Sequence, residues 1–229
     1  MKLGNVVQIA IGVPDLEASA SFYEMLEFEK LAENDAPWPW KQYTDGQNLL
    51  LLNQDGNQYI GLNYFTPHVT ELVAAIEANG IPFIRKQVGE DGRLQMALFS
   101  DDDGLMVALI NHDPTGMTLP TGEPMSKCGT FGEFSLGVDN FQKASHFWQQ
   151  FGFKEMYASG DPYPWGILSD EMIVLGLHQT DEFKGPCITY FEPDMAERVN
   201  DLQAKGLVIE NGILNGPAGE TLFLFTGEL

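Results

Sequence analysis

The chain has 229 residues, 33 of them acidic and 12 basic, so its formal net charge at pH 7 is −21. This length is enough for one large domain or for two of about 110 residues each. With 44% hydrophobic and 11% aromatic residues the chain can build a core, which excludes the class of acidic disordered proteins. An acidic surface repels phosphate backbones and anionic lipids, so we expect no nucleic-acid partner and no membrane partner.

Sequence features of whole function classes are missing. No apolar run approaches the roughly 18 residues needed to span a bilayer, and the start of the chain does not have the long apolar core of a signal peptide. We therefore predict a cytoplasmic protein. Cys128 and Cys187 are too few for a disulfide framework or a Cys-x-x-Cys metal site, and both are predicted to be reduced. The motifs of serine hydrolases, P-loop enzymes and dinucleotide-binding enzymes do not occur.

The chain repeats itself. A shift of 125 residues superposes Pro37–Trp40 on Pro162–Trp165, and a shift of 126 superposes Tyr64–Pro67 on Tyr190–Pro193. Two homologous halves follow from this repeat. They are joined by residues 113–127, which contain the proline, glycine and aspartate residues typical of a linker.

The first half begins with a strand, because apolar residues alternate with small or polar ones over residues 8–13. Asp15 is in the position of an N-cap for a helix over 16–26. A second helix is predicted over Val69–Ile76, where apolar residues follow helical spacing, and Gly80 ends it. Further strands are predicted at Leu49–Leu52, Arg93–Phe99 and Leu105–Ile110.

The second half repeats this order. Asp139-Asn140 offers the cap of its first helix, and Asp194 followed by Glu197 has the spacing of a capping box for its second. Strands are predicted at Met172–Leu177 and Thr221–Phe225. The whole chain thus reads as four βαβββ units.

This pattern resembles the vicinal oxygen chelate (VOC) superfamily, which includes glyoxalase I, bleomycin-resistance proteins and extradiol dioxygenases. The residues that carry the resemblance are Gln8–Leu16 in the first half and Glu133–Asn140 in the second. The resemblance implies an α+β fold in which four βαβββ units form two glyoxalase-like domains with cup-shaped mixed sheets. The predicted boundaries are 1–112 for the first domain, 113–127 for the linker and 128–229 for the second domain.

The resemblance also implies a metal held by one ligand from each of four strands of a cup. In the first half Gln8 fits the opening ligand, but Gly61 and Ala108 stand where His and Glu are expected. Such an ion usually needs three or more N, O or S ligands. We therefore expect no metal in the first cup.

In the second half Glu133 fits the opening position and Cys187 the third, whereas Phe223 replaces the last Glu. We expect no cofactor here either. The alternative is a divalent metal held by Glu133, His178 and Cys187. Without a metal, Glu133 is the candidate catalytic acid or base.

Other residues are predicted to face the cups or their rims, where large aromatic faces and a few polar groups suit a small-molecule ligand. These candidate ligand-binding residues are Gln8, Trp38, Trp40, Asn63, Tyr163, Trp165, His178, Cys187, Thr189 and Phe191.

The resulting hypothesis is a glyoxalase-like or bleomycin-resistance-like tandem protein that binds a small organic molecule, aromatic or cationic, in a cup without the usual metal quartet. The alternative is a VOC lyase or isomerase of the glyoxalase I type, using Glu133 as acid or base or a metal at the three residues above. A purely structural or protein-binding module is a third reading. The expected partner is a small-molecule ligand or substrate, and the sequence is compatible with a homodimer.

Overall fold

The structure is a computed structural model that describes residues 1–183 and 185–227. Within these residues it contains four helices and two eight-stranded sheets of mixed direction. This confirms the α+β fold with mixed sheets that the resemblance to the VOC superfamily implies. None of the helices in the described residues is long and apolar enough to cross a membrane.

The first half forms one sheet with two helices. Its elements are β1 (Val6–Gly12), α1 (Leu16–Met25), β2 (Glu29–Asn34), β3 (Trp40–Thr44), β4 (Leu49–Asn53), β5 (Tyr59–Thr66), α2 (Val69–Ala78), β6 (Arg85–Val88), β7 (Leu94–Ser100) and β8 (Met106–Asn111). The strand order is β2-β3-β4-β1-β5-β8-β7-β6.

The second half has the same succession of elements. These are β9 (Thr130–Gly137), α3 (Phe141–Gln149), β10 (Lys154–Ser159), β11 (Trp165–Ser169), β12 (Val174–His178), β13 (Cys187–Glu192), α4 (Met195–Ala204), β14 (Ile209–Glu210), β15 (Ile213–Asn215) and β16 (Thr221–Thr226). The strand order β10-β11-β12-β9-β13-β16-β15-β14 repeats that of the first sheet position by position.

The first helix of each half begins as the sequence predicts. Oδ1 of Asp15 accepts a hydrogen bond of 3.0 Å from the backbone N–H of Ala18. In the same way Oδ1 of Asn140 accepts from the backbone N–H of Lys143 at 2.9 Å. Both N-cap predictions are confirmed, because each side chain satisfies an N–H that the helix leaves unpaired.

The capping box predicted for α4 is wrong. The side chain of Asp194 makes no cap hydrogen bond, and its backbone has φ −96° and ψ 20° rather than an extended conformation. Its Oδ1 instead accepts a hydrogen bond of 2.7 Å from Nε of Arg198, one turn further along the helix. Arg198 therefore binds the carboxylate of Asp194, which the sequence spacing had predicted to cap the N-terminus of α4.

Contacts between residues group the chain into two compact units, each of which combines one βαβββ module from each half. Unit 1 consists of Met1–Gln8, Gly61–Met117 and Gly137–Lys184. Unit 2 consists of Ile9–Ile60, Thr118–Leu136 and Gly185–Leu229. The sequence did not show which modules associate, and the domain boundaries at 112 and 127 stay a prediction.

Each unit has an aromatic core of its own. In unit 1 the side chains of Trp148, Phe99 and Phe151 are fully buried, and the Phe99 and Phe151 rings lie 5.5 Å apart. In unit 2 Tyr23 and Tyr190 have this role. Large buried rings contribute about 150–250 Å² of buried area each, so these residues dominate the hydrophobic stabilisation of the units.

Candidate functional site

An irregularity in β9 precedes the candidate catalytic residue. Glu133 is paired with Thr189 of β13, but the next pair along the ladder joins Phe131 to Tyr190, so Gly132 is an extra residue in β9. A bulge of this kind bends a strand and can re-aim a side chain, and bulges often lie next to functional sites. The bulge therefore directly adjoins Glu133.

Glu133 belongs to a buried cluster of three polar side chains in unit 2, which we call the carboxylate–hydroxyl cluster. Oγ of Ser135 donates a hydrogen bond of 2.6 Å to Oε1 of Glu133. The same Oγ lies 2.6 Å from Oγ1 of Thr189. Glu133, Ser135 and Thr189 are 8%, 2% and 3% exposed. Buried polar groups must be hydrogen-bonded to be tolerated, and here the side chains supply each other's partners.

Aromatic side chains border this cluster on the neighbouring strand. Thr189 is paired with Phe223 of β16, and Phe191 is paired with Phe225. The ring of Phe225 lies 5.9 Å from that of Phe191 and is stacked on that of Phe223 at 5.7 Å. Phe191 and Phe223 are half-buried, and Phe225 is 41% exposed. We call Phe191, Phe223 and Phe225 the phenylalanine wall.

Gly132 brings the wall and the cluster together. A Cβ at this position would lie 2.4 Å from Cε2 and 2.6 Å from Cδ2 of Phe191, far inside a normal contact distance. The ring of Phe191 therefore rests directly against the backbone of β9, next to Glu133. Any larger residue at position 132 would displace the ring.

Cys187 lies beside the cluster but has the properties of a packed thiol. It is paired with Ser135 in the ladder and is 3% exposed. Its Sγ donates a weak hydrogen bond of 3.5 Å to the carbonyl oxygen of Gly185. Burial raises the pKa of this thiol to about 12, so it is neutral at pH 7. A neutral thiol is a poor nucleophile and a poor metal ligand, because both roles need the thiolate.

The corresponding position in unit 1 carries two amides. Nδ2 of Asn63 donates a hydrogen bond of 3.2 Å to Oε1 of Gln8, which is 2% exposed. By the internal repeat, Gln8 corresponds to Glu133 and Asn63 to Thr189. The structure thus brings together two predicted ligand-binding residues of the first half, as it does for the second.

The aromatic candidates of the second half surround His178 in unit 1. The rings of Trp165 and His178 are stacked, with centroids 5.7 Å apart and an interplanar angle of 3°. Tyr163 and Phe183 approach the imidazole edge-on at 6.1 Å and 5.6 Å. Nε1 of Trp165 donates to the carbonyl oxygen of Asp161 at 3.1 Å. These side chains pack on one another, and His178 belongs to a different unit from Glu133 and Cys187.

Of the two tryptophans predicted to bind ligand in the first half, only Trp40 lines a groove in unit 2. Trp38 is 40% exposed, and Trp40 lines a groove with a volume of about 570 Å³. The one basic residue among its lining residues, Lys41, contacts Glu17 at 2.7 Å. The other lining residues are Asp15, Leu16, Glu17, Glu33, Asn34, Asp35, Pro39 and Gln54.

Sequence reasoning missed two contributors to the site. Phe223 was noted only as a failed metal position, and Phe225 was not considered. The available signal was the pair of phenylalanines at positions 223 and 225, which share one face of a strand because successive side chains point to opposite faces. Their role depends on the register with β13, which alternation within one strand does not show.

Comparisons with known proteins show similarity at the level of structure. No family model matches the chain, and no curated protein matches it. A crystal structure of catechol 2,3-dioxygenase matches with a TM-score of 0.64 at 16% identity, covering 99% of this chain and 89% of that one. Homoprotocatechuate 2,3-dioxygenase from Arthrobacter globiformis matches with a TM-score of 0.67 at 11% identity, covering 98% and 79%.

A third structure has the same architecture. It is 2,2',3-trihydroxybiphenyl 1,2-dioxygenase from Sphingomonas wittichii, with a TM-score of 0.59 at 13% identity over 99% of this chain and 90% of that one. The chain therefore has the VOC fold that its sequence resembles. Its two eight-stranded mixed sheets and four helices match the architecture of these dioxygenases.

The expectation of no cofactor is contradicted by this comparison. The similar structures are extradiol dioxygenases, which use an iron or manganese ion. The error came from judging the cofactor on sequence positions alone, whereas the fold as a whole matches a class of metal-dependent enzymes.

The donor set of this chain nevertheless does not fit that ion. Phe223 stands at the position of the fourth ligand, Cys187 is a neutral buried thiol, and the cluster beside Glu133 otherwise consists of hydroxyls. The described residues contain no group of three or more His, Cys, Asp or Glu side chains placed to hold a metal. The alternative metal site at Glu133, His178 and Cys187 therefore gains no support.

Proposed function

We propose that unit 2 binds a small aromatic molecule on the sheet face that carries Glu133. The observation that carries the proposal is the direct juxtaposition of the carboxylate–hydroxyl cluster with the phenylalanine wall. In the ladder Thr189 lies between Glu133 on one side and Phe223 on the other. Small-molecule sites typically combine an apolar lining with a few placed polar groups, and this face has both.

Each part of the face has a distinct role in binding. The wall offers three rings, one of them 41% exposed, on which a flat ligand can stack. A favourable ring pair contributes about 0.5–1.5 kcal/mol beyond its buried area. The cluster fixes the orientation of the ligand, because a polar group placed against Glu133 or Thr189 is bonded only in one pose. Apolar contact thus supplies affinity and the cluster supplies specificity.

The fold comparison supports an aromatic ligand. The three similar enzymes are named for catechol, homoprotocatechuate and trihydroxybiphenyl, which are aromatic compounds. Those names describe the similar enzymes. For this chain the proposal depends on the wall and the cluster.

Titration with phenol, followed by isothermal titration calorimetry, tests the proposal. Wild type is expected to bind, and Phe223→Ala is expected to lose affinity at least about tenfold. Phe223→Leu retains apolar bulk without the ring and should lose less, which separates stacking from misfolding. Leu119→Ala alters a 52% exposed apolar side chain elsewhere in unit 2 and should leave binding unchanged. Absence of phenol binding, or equal affinity in Phe223→Ala, would refute the proposal.

A second candidate is a lyase or isomerase reaction in which Glu133 moves a proton. The chain of two 2.6 Å hydrogen bonds from Thr189 through Ser135 to Glu133 favours it, because such a chain holds a general acid or base in one orientation. Glu133→Gln should then abolish turnover of a substrate that still binds. If Glu133→Gln turns over as wild type does, Glu133 has a binding role only. A cytoplasmic location and a homodimer stay predictions.

A further inference from the structure

The part of the first sheet that lies in unit 1 has one packed face and one partly open face. Alternating residues of β5, β7 and β8 are at most 1% exposed, namely Leu62, Tyr64, Ala97, Phe99, Val107 and Leu109. Successive side chains of a strand point to opposite faces. The apolar residues of the opposite face are only half-buried, namely Phe65, Met96, Leu98, Met106, Ala108 and Ile110. No described element therefore covers this second face completely, and we call it the open face.

A row of residues crosses the open face from strand to strand, and we call it the cross-strand row. Asn63 of β5 is paired with Ala108 of β8, which is paired in turn with Leu98 of β7. Leu98 is paired with Arg85 of β6, the last strand of the sheet. At the other end Asn63 is hydrogen-bonded to Gln8 of β1. The row thus has an amide pair at one end, apolar residues in the middle and a guanidinium at the other end.

Arg85 gives the open face a positive charge. It is exposed and makes no ion pair with any residue that the structure describes, whereas the next residue, Lys86, contacts Oε1 of Glu77 at 2.7 Å. Arg85 is the one charged side chain that β5 to β8 place on the open face. A guanidinium is always protonated, and its fork of N–H donors fits a carboxylate. The open face therefore favours an anion, although the chain as a whole is acidic.

The amide pair keeps hydrogen-bonding capacity for a ligand. Nδ2 of Asn63 donates to Oε1 of Gln8, which is 2% exposed, and this bond uses one amino group and one carbonyl oxygen. One of each is left over, whichever of the two amides donates. The amino group of Gln8 and the carbonyl oxygen of Asn63 have no partner among the described residues, and neither atom is fully buried. A hydroxyl group, which both donates and accepts, suits this pair.

The two ends of the row are far enough apart for an extended molecule. Three strand spacings separate Asn63 from Arg85, roughly 14 Å along the sheet. We propose that the cross-strand row is a second ligand site, which binds an apolar carboxylic acid with a hydroxyl group at its far end. Arg85 binds the carboxylate, Leu98 and Ala108 contact the chain, and the amide pair binds the hydroxyl. The site is separate from the one proposed in unit 2, because all of its residues belong to unit 1.

The second half has an equivalent row with different chemistry. Its ladder joins Glu133, Thr189, Phe223, Ile213 and Glu210. Glu210 thus stands in place of Arg85, and Phe223 in place of Ala108. The second row has neither the guanidinium nor the small residue in its middle. The carboxylate site is therefore a property of the first half and not of the fold.

Three probes test the proposal: octanoate, 8-hydroxyoctanoate and octylammonium, each titrated calorimetrically at pH 7 and physiological ionic strength. The net charge of −21 by itself favours the ammonium. The expected result is nevertheless that octanoate binds at least about threefold tighter, because Arg85 lies on the open face. 8-Hydroxyoctanoate is expected to bind at least about threefold tighter than octanoate, because its hydroxyl satisfies the amide pair.

Two variants examine the two ends of the row, each with a matched control. Arg85→Gln should abolish the preference for octanoate over octylammonium. Arg93→Gln removes the same charge from an 80% exposed side chain in the turn of the same hairpin and should retain the preference. Asn63→Leu breaks the amide pair and should reduce the advantage of 8-hydroxyoctanoate at least about twofold. Gln87→Leu removes an exposed amide of β6 outside the row and should leave that advantage unchanged.

Each contrary outcome overturns a defined part of the proposal. If no probe binds, if octylammonium binds as tightly as octanoate, or if Arg85→Gln keeps the preference, the carboxylate site is refuted. If 8-hydroxyoctanoate binds no tighter than octanoate, the assignment of the hydroxyl to the amide pair is refuted. Phe223→Ala alters unit 2 and should leave the affinity for octanoate unchanged. A loss of octanoate affinity in Phe223→Ala would place the ligand in unit 2 and refute the second site.

Discussion

The hydroxyl of Tyr64 donates a hydrogen bond of 2.9 Å to Oδ2 of Asp170, a residue 106 positions further along the chain. Both residues are buried in unit 1. Unit 2 contains the equivalent pair, in which the hydroxyl of Tyr190 donates to Oδ2 of Asp45 at 2.8 Å. In each unit this bond joins a residue of one half to a residue of the other, so it connects the two modules of which the unit consists.

Removing either hydroxyl should destabilise the protein. Tyr64→Phe and Tyr190→Phe keep the ring but leave a buried carboxylate without one donor, which costs about 1–3 kcal/mol of unfolding free energy. Urea denaturation measures the change. Tyr157→Phe removes the hydroxyl of a 55% exposed tyrosine and should change stability by less than about 0.5 kcal/mol. Equal effects of all three variants would contradict a special role for the buried pairs.

The carboxyl group of Asp101 makes stability depend on pH. Burial raises its pKa to about 6, although backbone N–H groups of Leu105 and Asp103 and the indole of Trp148 oppose this shift. The native state therefore binds a proton more tightly than the unfolded state, whose carboxyl has a pKa of 3.8. The contribution of Asp101 to stability is fully present below pH 3.8 and falls by about 3 kcal/mol as the pH rises through 6.

Asp101→Asn should flatten this part of the pH profile, since an amide does not titrate. Urea denaturation at half-unit steps from pH 4 to 7 provides the measurement. Asp102→Asn is the matched control, because Asp102 makes an exposed ion pair with Lys143 and exposed pairs contribute at most about 1 kcal/mol. A profile of Asp101→Asn as steep as that of wild type would show that Asp101 does not titrate in this range.

Removing the acidic or amide side chain at a helix N-terminus should lower the free energy of unfolding by an amount that differs between the helices. Asp15→Ala and Asn140→Ala remove observed cap bonds and should each cost about 1 kcal/mol. Asp194→Ala removes only an exposed contact with Arg198 and should cost less than about 0.5 kcal/mol. Thermal unfolding of the three variants measures these costs. If Asp194→Ala lowers the free energy of unfolding as much as the other two variants do, the side chain of Asp194 caps α4 after all.

Gly132→Ala should disturb the phenylalanine wall. The new Cβ would overlap the ring of Phe191, so the ring must move, at a cost of about 1–3 kcal/mol. Phenol affinity should fall together with the stability. Gly160→Ala is the control, since a Cβ there would meet no atom within 4 Å. Unchanged phenol binding in Gly132→Ala would show that the position of the Phe191 ring is not needed for the site.

Local features were predictable where a single segment decides them. The N-caps at Asp15 and Asn140 depend on residues only three positions apart, and the structure confirms them. The capping box at Asp194 failed because Arg198 competes for the same carboxylate. The short edge strands β6 and β14 were not predicted, nor was the three-residue β15 beside β14, since such short segments have little apolar alternation.

The site was predictable in part. Glu133 was chosen because the resemblance puts it at the opening ligand position, and Thr189 and Phe191 because they were expected to face the cup. The structure places all three on the paired strands β9 and β13. Phe225 was missed, because its contact with Phe191 depends on the register between β13 and β16. The expectation of no cofactor was wrong, because it weighed single ligand positions and could not weigh the whole fold.

The sequence by itself determined the repeat, the four βαβββ modules and the face to which each strand residue belongs, because these depend on periodicity over short distances. Only the tertiary structure decided which modules associate and which side chains meet, as with Tyr64 and Asp170, 106 residues apart. It also placed the bulge at Gly132, where the Phe191 ring lies against the backbone of β9. Strand register and the association of modules depend on packing between residues that are far apart in the sequence. A local sequence pattern carries no information about such contacts.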